Sequence, residues 1–300
     1  MSEQTPQQTE AAHEPDAVHT PEVKNSAQVP ETVGVYGGGR MGAGIAHAFA
    51  TAGSRVIIIE NTDETVAAAK ERVDASIEKS KSKGLEVKGS VEVVRDPTLL
   101  DQALLVVEAV PEIVELKQEI LAAIAKHAPA ASIATNTSAL SINELAVGLP
   151  RPQALIGLHF FNPVPVSDLV EIVVGTHTRP ELVDVAKSWV EGLGKTAITV
   201  KDSPGFASSR LGVALALEAV RMVEEGVASA EDIDNAMTLG YRHPAGPLKT
   251  TDIVGLDIRL GIAEHLEAEL GPRFAPPQLL KDKVAAGELG RKSGQGFYTW

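Results

Sequence analysis

The first thirty residues carry almost no large apolar side chain, and the chain changes character at Glu31. From there short apolar runs alternate with longer segments of helical period, the pattern of βαβ units on a parallel sheet. The runs predict strands at Thr32 to Tyr36, Arg55 to Ile59, Leu104 to Glu108, Ser132 to Thr135, Ala154 to Leu158, Leu169 to Val174 and Ala197 to Val200. The segments between them predict helices at Arg40 to Ala52, Thr65 to Lys83, Glu112 to Lys126 and Pro180 to Leu193. Ser141 and Glu144 have capping-box spacing and open a shorter one. After Lys201 the alternation stops. Ser203-Pro204 reads as a cap and first turn of a helix reaching Gly226, whose Leu211, Val213, Leu215, Leu217 and Val220 leave little polar face and call for burial on most sides. Further helices are expected from Ser229 and from Val254 to Leu270. The predicted fold class is α/β: a disordered tail over 1–30, a Rossmann-type doubly wound sheet over 31–200, and an all-α domain over 201–300.

Composition narrows the function. Forty acidic against 27 basic side chains give a formal charge of −13, which opposes broad attraction to nucleic acid or an anionic membrane and leaves a small ligand as the expected partner. There is no cysteine, so disulfides, thiolate catalysis and Cys-ligated zinc are out. No apolar stretch approaches the roughly 20 residues of a spanning helix, and no basic-then-apolar leader opens the chain. A soluble, cytoplasmic protein is expected. His13 and His19 fall in the tail without a cluster around them, so no metal site is expected.

Two constellations carry chemistry. Gly37, Gly39 and Gly42, with Arg40 and Met41 between them, place G-x-G-x-x-G between a strand and a helix. The first glycine makes the tight turn, the second admits the pyrophosphate to the backbone, and the third lets helix pack on strand. Glu60 closes the next strand eighteen residues past Gly42, where a carboxylate accepts from the adenosine ribose hydroxyls. That arrangement points to NAD, since the same carboxylate would repel a 2′-phosphate. Glu171 lies inside the apolar run Leu169 to Val174, and an unpaired carboxylate there is costly, so a partner is required. His159, twelve residues earlier and after a predicted strand, is the candidate. A Glu that fixes and polarises a His makes a base for a hydroxyl proton, while a hydrogen-bonded core histidine accounts for the same spacing.

The strings Gly37 to Ala46, Asn136-Thr137-Ser138, His159 to Pro165, Asp202 to Phe206 and Gly290 to Tyr298 resemble, in that order, the 3-hydroxyacyl-CoA dehydrogenases, in particular the short 3-hydroxybutyryl-CoA dehydrogenases. The likeness spans 31–300. It implies reversible hydride transfer between C3 of an (S)-3-hydroxyacyl-CoA and NAD, a step of fatty acid β-oxidation, with His159 as general base, Glu171 orienting it and Ser138 on the substrate. It also implies Glu112, Lys117, Asn162 and Lys292 around the cofactor, Ser76 and Lys83 on the CoA, and a homodimer through the helical domain. Lys79, Lys81, Lys83 and Lys88 form a basic run suited to CoA phosphates, and a solvated helix face explains them equally. One departure stands out: many members have Asn where this chain has Ser209, another substrate-side position. Serine is shorter and offers one donor instead of two, which touches acyl specificity rather than reaction class. Two rivals remain: a dehydrogenase of a free hydroxy acid on the same scaffold, and an NAD-binding protein without turnover.

Overall fold

The computed structural model describes residues 28–300. The tail expectation for residues 1–27, with His13 and His19, lies outside them. Residues 28–30 pack onto the domain: Val29 lies against the core, Pro30 is buried, and its carbonyl accepts from the Ser54 hydroxyl at 2.6 Å.

One eight-stranded sheet has the order β3-β2-β1-β4-β5-β6-β7-β8. The strands are β1 (Thr32–Tyr36), β2 (Arg55–Ile59), β3 (Ser90–Val94), β4 (Leu105–Glu108), β5 (Ser132–Thr135), β6 (Leu155–Phe160), β7 (Leu169–Val174) and β8 (Thr196–Lys201). Neighbours pair in parallel except β6 and β7, which are antiparallel. α1 (Arg40–Ala52), α2 (Asp63–Ser82) and α5 (Pro180–Gly192) cover one face, and α3 (Val114–His127) with the short α4 (Ile142–Leu145) covers the other. Burial on both faces is why the strands read as unbroken apolar runs: Val56 and Ile58 enter one core cluster, Ile57 and Ile59 the other.

The pattern of periods predicts seven of these strands and omits β3. Two boundary differences bear on the site. β6 runs on to Phe160, because Phe160 pairs with Val170 of β7, so His159 is inside the strand and not after it. α3 begins at Val114, so Glu112 precedes the helix and does not sit on its first turn.

Past Lys201 the chain is helical: α6 (Ser208–Glu224), α7 (Ala230–Asn235), α8 (Pro247–Val254), α9 (Leu256–Leu270) and α10 (Gln278–Ala285) surround a third core cluster. α6 starts at Ser208, four residues later than the Ser203-Pro204 signal suggests. Phe206 at φ +50° and Gly205 at φ +72° turn the chain before the helix begins. It is also less enclosed than its composition suggests, since Val213, Leu217 and Val220 are buried but Leu211 is 71% exposed. The single helix expected from Val254 to Leu270 is broken at Gly255, whose φ of +110° no helix accommodates.

Candidate active site

Six parallel strands, β1 to β6, end at one edge of the sheet, the edge where open α/β sheets bind ligands. Every sequence-predicted element of the first constellation is there. Gly37 follows β1 at φ +95°, and a Cβ on Gly42 would lie 1.8 Å from the Gly37 carbonyl oxygen, so only glycine lets α1 approach β1. A Cβ on Gly39 would meet nothing within 4 Å, leaving open space before the first turn of α1, whose N-cap has no side chain to satisfy its amides. A cradle of free amides at the start of a thirteen-residue helix fits a dinucleotide pyrophosphate. Glu60 Oε1 accepts the Gly38 N–H at 2.5 Å, so the carboxylate expected at the ribose also pins the glycine loop.

Behind this edge lies a buried charge cluster. The Lys117 ammonium, 1% exposed, donates to Glu108 Oε1 at 2.7 Å, to the Val110 carbonyl at 3.2 Å, and pairs with Glu112 Oε2 at 3.3 Å. Glu108 Oε2 accepts from the Thr135 hydroxyl at 2.6 Å. Glu112 Oε1 in turn accepts from the Thr137 hydroxyl at 2.6 Å, the Ser138 amide at 2.7 Å, the Ser138 hydroxyl at 3.2 Å and the Ala139 amide at 3.1 Å. Burial pushes the Glu112 carboxyl up, but Lys117, the Thr137 hydroxyl and the Ser138 amide hold it below the usual carboxylate range. Glu112 therefore ties the loop after β4 to the loop after β5 and fixes Ser138.

The antiparallel register of β6 and β7 sets His159 directly opposite Glu171. The ring Nδ1 lies 2.7 Å from Glu171 Oε2, with the carboxylate fully buried and the imidazole 7% exposed. Phe161 and Phe206 flank the ring, their centroids 4.5 and 5.8 Å away. Phe160, by contrast, is buried in the core cluster that α1, α2 and α5 cover. Glu171 has further partners that the spacing did not reveal: its Oε1 accepts the Ala207 and Ser208 amides at 3.2 and 2.9 Å, and its Oε2 the Ser208 hydroxyl at 2.5 Å. Burial pushes the carboxyl up, and His159 with the Ser208 hydroxyl and amide brings it below its ordinary value. The pair is thus a carboxylate facing an oriented imidazole. Ser209, the next residue of α6, donates from its hydroxyl to the Ser138 carbonyl at 3.4 Å, so the two serines expected on the substrate meet across the two domains.

A cavity of about 510 Å³ lies between α1, α2 and the loop after β6. Ser76, Lys83, Arg40 and Asn162, expected on different ligands, all line it, together with Lys79 and Arg72. Lys81 and Lys88 of the basic run do not line it and are exposed. Arg72, whose guanidinium reaches the Gly38 carbonyl at 3.4 Å, was not singled out from sequence because it is one charge among several on a polar helix. Lys292 is placed apart: its ammonium pairs with Asp257 of α9 at 2.6 Å, and no hydrogen bond joins it to another cofactor candidate. A second cavity, of about 580 Å³, opens by Glu31 and Trp189, where the strands begin and none of the candidate residues lies. Among the described residues no three His, Cys, Asp or Glu side chains cluster to hold a metal ion, and no helix is long and apolar enough to cross a membrane.

Known proteins match this chain in sequence and fold. The family model described as 3-hydroxyacyl-CoA dehydrogenase, NAD binding domain, matches residues 32–203, and that of the family's C-terminal domain matches residues 205–300. A 3-hydroxybutyryl-CoA dehydrogenase of Mycobacterium tuberculosis is 39% identical over 281 residues, covering 90% of this chain and 98% of the relative. A Bacillus subtilis protein named as a probable 3-hydroxybutyryl-CoA dehydrogenase is 40% identical over 275 residues, covering 89% and 96%. The crystal structure of (S)-3-hydroxybutyryl-CoA dehydrogenase from Ralstonia eutropha matches with a TM-score of 0.85 at 37% identity, over 90% of this chain and 99% of that one. With its glycine loop, its buried His-Glu pair and both domains matched end to end, the chain belongs to the 3-hydroxyacyl-CoA dehydrogenase family.

Proposed function

We propose that this protein interconverts a short (S)-3-hydroxyacyl-CoA and its 3-oxo counterpart, with 3-hydroxybutyryl-CoA the first candidate substrate. The observation that carries the reading is the His159–Glu171 pair, buried at the ligand edge with Nδ1 committed to the carboxylate. That commitment leaves Nε2 for the 3-hydroxyl, and no side chain among the described residues takes it. NAD held on the glycine loop supplies the acceptor for the C3 hydride. His159 takes the hydroxyl proton as the C3 carbonyl forms, and Glu171 stabilises the resulting imidazolium in surroundings with little water to screen it. Glu112 anchors Ser138 through its amide, and the Ser138 hydroxyl turns from that carboxylate to donate to the substrate oxygen. Gly37, Gly39, Arg40, Met41, Gly42 and Glu60 hold the cofactor, with Glu112, Lys117 and Asn162 near its reactive end. Lys292 joins them only if the helical domain swings it inward.

The cavity lined by Ser76, Lys79, Lys83 and Arg72 suits the CoA phosphates, a local patch of positive charge on a protein of net charge −13. Ser209 donates one hydrogen bond where the family Asn donates two, so acyl groups larger than the C4 chain are to be tested beside it. The reading includes a homodimer through the helical domain, supported by α6 and α9, which pack together and carry Leu211 and Ile258, 71% and 47% exposed. A cytoplasmic location fits a chain without cysteine.

The test is NADH oxidation by purified protein with acetoacetyl-CoA, beside free acetoacetate. Turnover of the CoA ester alone, lost by at least about 100-fold in His159→Ala, is the expected result. Lys83→Ala is expected to raise KM for the ester and leave NADH binding intact. Equal turnover of the free acid would move the protein to the hydroxy-acid dehydrogenases, and NADH binding without any turnover would make it a non-catalytic binder. Light scattering after size exclusion, expected to give twice the 31.5 kDa chain mass, checks the dimer.

A further inference from the structure

Glu171 is surrounded by few groups, and each is identifiable. β6 contributes His159, β8 places Ile198 opposite Glu171, Ala207 just before α6 contributes one amide, and Ser208 at its start contributes a second amide and a hydroxyl. Only His159 among these carries an ionisable side chain. The amides of Ala207 and Ser208 bind Oε1, the oxygen turned away from the ring. The Ser208 hydroxyl binds Oε2, the same oxygen that faces Nδ1 at 2.7 Å. A hydrogen bond to that oxygen withdraws part of its charge from the imidazole, and the hydroxyl and the ring compete for one acceptor.

We propose that Ser208 is a positioning residue that sets the pH range of catalysis: by donating to Glu171 Oε2 it limits the pull of the carboxylate on the imidazolium and keeps the His159 base available at lower pH. The proposal rests on the reading of His159 as the base. Its sign is definite. Without the hydroxyl, Oε2 interacts with the ring alone, the protonated ring is favoured, and the pair needs a higher pH to shed its proton. Oxidation of the hydroxyacyl ester requires the neutral ring and loses activity at the acid end. Reduction of the oxoacyl ester requires the protonated ring and gains range at the alkaline end. Both limbs therefore move upward together, which a loosened structure does not produce.

The experiment compares pH profiles of kcat/KM in both directions for the wild type, Ser208→Ala, Ser208→Cys and Ser208→Thr. Ala, and Cys with its weak donor, are expected to move both limbs upward by about half a unit to one unit, a loss of about three- to ten-fold in oxidation at pH values below the limb. Thr keeps the hydroxyl and is expected to keep the wild-type limbs. Titration of the His159 ring by NMR in the folded wild type and Ser208→Ala reads the same shift without turnover. Limbs and ring titration unmoved while activity or melting temperature falls would reduce Ser208 to a structural residue and overturn the proposal, as would a downward shift. Full activity in His159→Ala would instead fell the base assignment, a failure that the ring titration keeps separate.

Discussion

Lys117 shows most directly how single residues hold this site. Its ammonium is buried between Glu108 and Glu112, so it neutralises a carboxylate that is itself 0% exposed. Lys117→Met keeps the aliphatic stem and strands Glu108, and should cost about 3–5 kcal/mol of stability, read as a lower urea midpoint. NADH affinity should fall with it, because Glu112 loses its counter-charge and the Ser138 loop its anchor. Glu108 itself was legible in principle. It closes an apolar run as a carboxylate, the same placement that singles out Glu171 from the sequence, but it lies at the end of its strand where a solvated reading is ordinary. Ser208 was not legible at all, since nothing in a Ser-Ser pair says that one hydroxyl faces a carboxylate carried thirty-seven residues earlier on another domain.

At the scale of elements, the strands buried on both faces and the glycine loop were plain because their patterns have only one physical cause. β3 was not, for it is an edge strand whose Ser-Val-Glu-Val-Val leaves its Ser and Glu exposed, and short mixed segments of this kind read as loop. α8 and α10 are eight residues each, too short for a clear helical period. What holds α8 in place is also non-local. The fully buried Asp252 accepts the amides of Phe297 and Tyr298 at 2.9 Å and the Trp300 indole N–H at 2.8 Å, so the last residues strap the helical domain. Asp252→Ala should leave these donors unpaired and lower stability by several kcal/mol, about 1–3 for each donor that water does not reach, as measured by thermal melting. The glycine loop gives the sharper prediction. Gly42→Ala drives a Cβ to within 1.8 Å of the Gly37 carbonyl oxygen, so α1 must move off β1, and NADH fluorescence enhancement should be lost while the far-UV spectrum persists.

For the whole molecule, stability against pH follows from groups whose protonation differs between folded and unfolded chains. Burial lowers the pKa of His47, which lies between α1 and α2 with Nε2 2.9 Å from the Ser80 hydroxyl and Nδ1 without a partner. The unfolded chain then binds the proton first, so stability falls as pH drops through about 6.5. Glu112 and Glu171 are held below the carboxylate range in the fold, so their contribution is complete above about pH 4.5 and is lost as pH falls through their folded values. Urea midpoints should therefore decline in two steps on acidification, with His47→Gln removing the first and leaving the second. A single step below about 4.5 in the wild type would show that His47 is not excluded from protonation in the fold.

The contact between α6 and Glu171 has a further consequence for how such a protein can be reassorted. The family's two domains meet at residues 203–205, which looks like a natural seam for exchanging halves between relatives. Chemically it is not one. Three of the four donors on Glu171, the carboxylate of the proposed base pair, belong to the second half, and the fourth to the first. A chimera that keeps residues 32–203 and imports a foreign helical half inherits the histidine and its glutamate, yet takes most of the glutamate's surroundings from the donor. On the proposed role of Ser208, its working pH is borrowed with that half. Lineages that recombine at this boundary can shift the proton-transfer conditions of the enzyme without altering a single residue of the histidine strand.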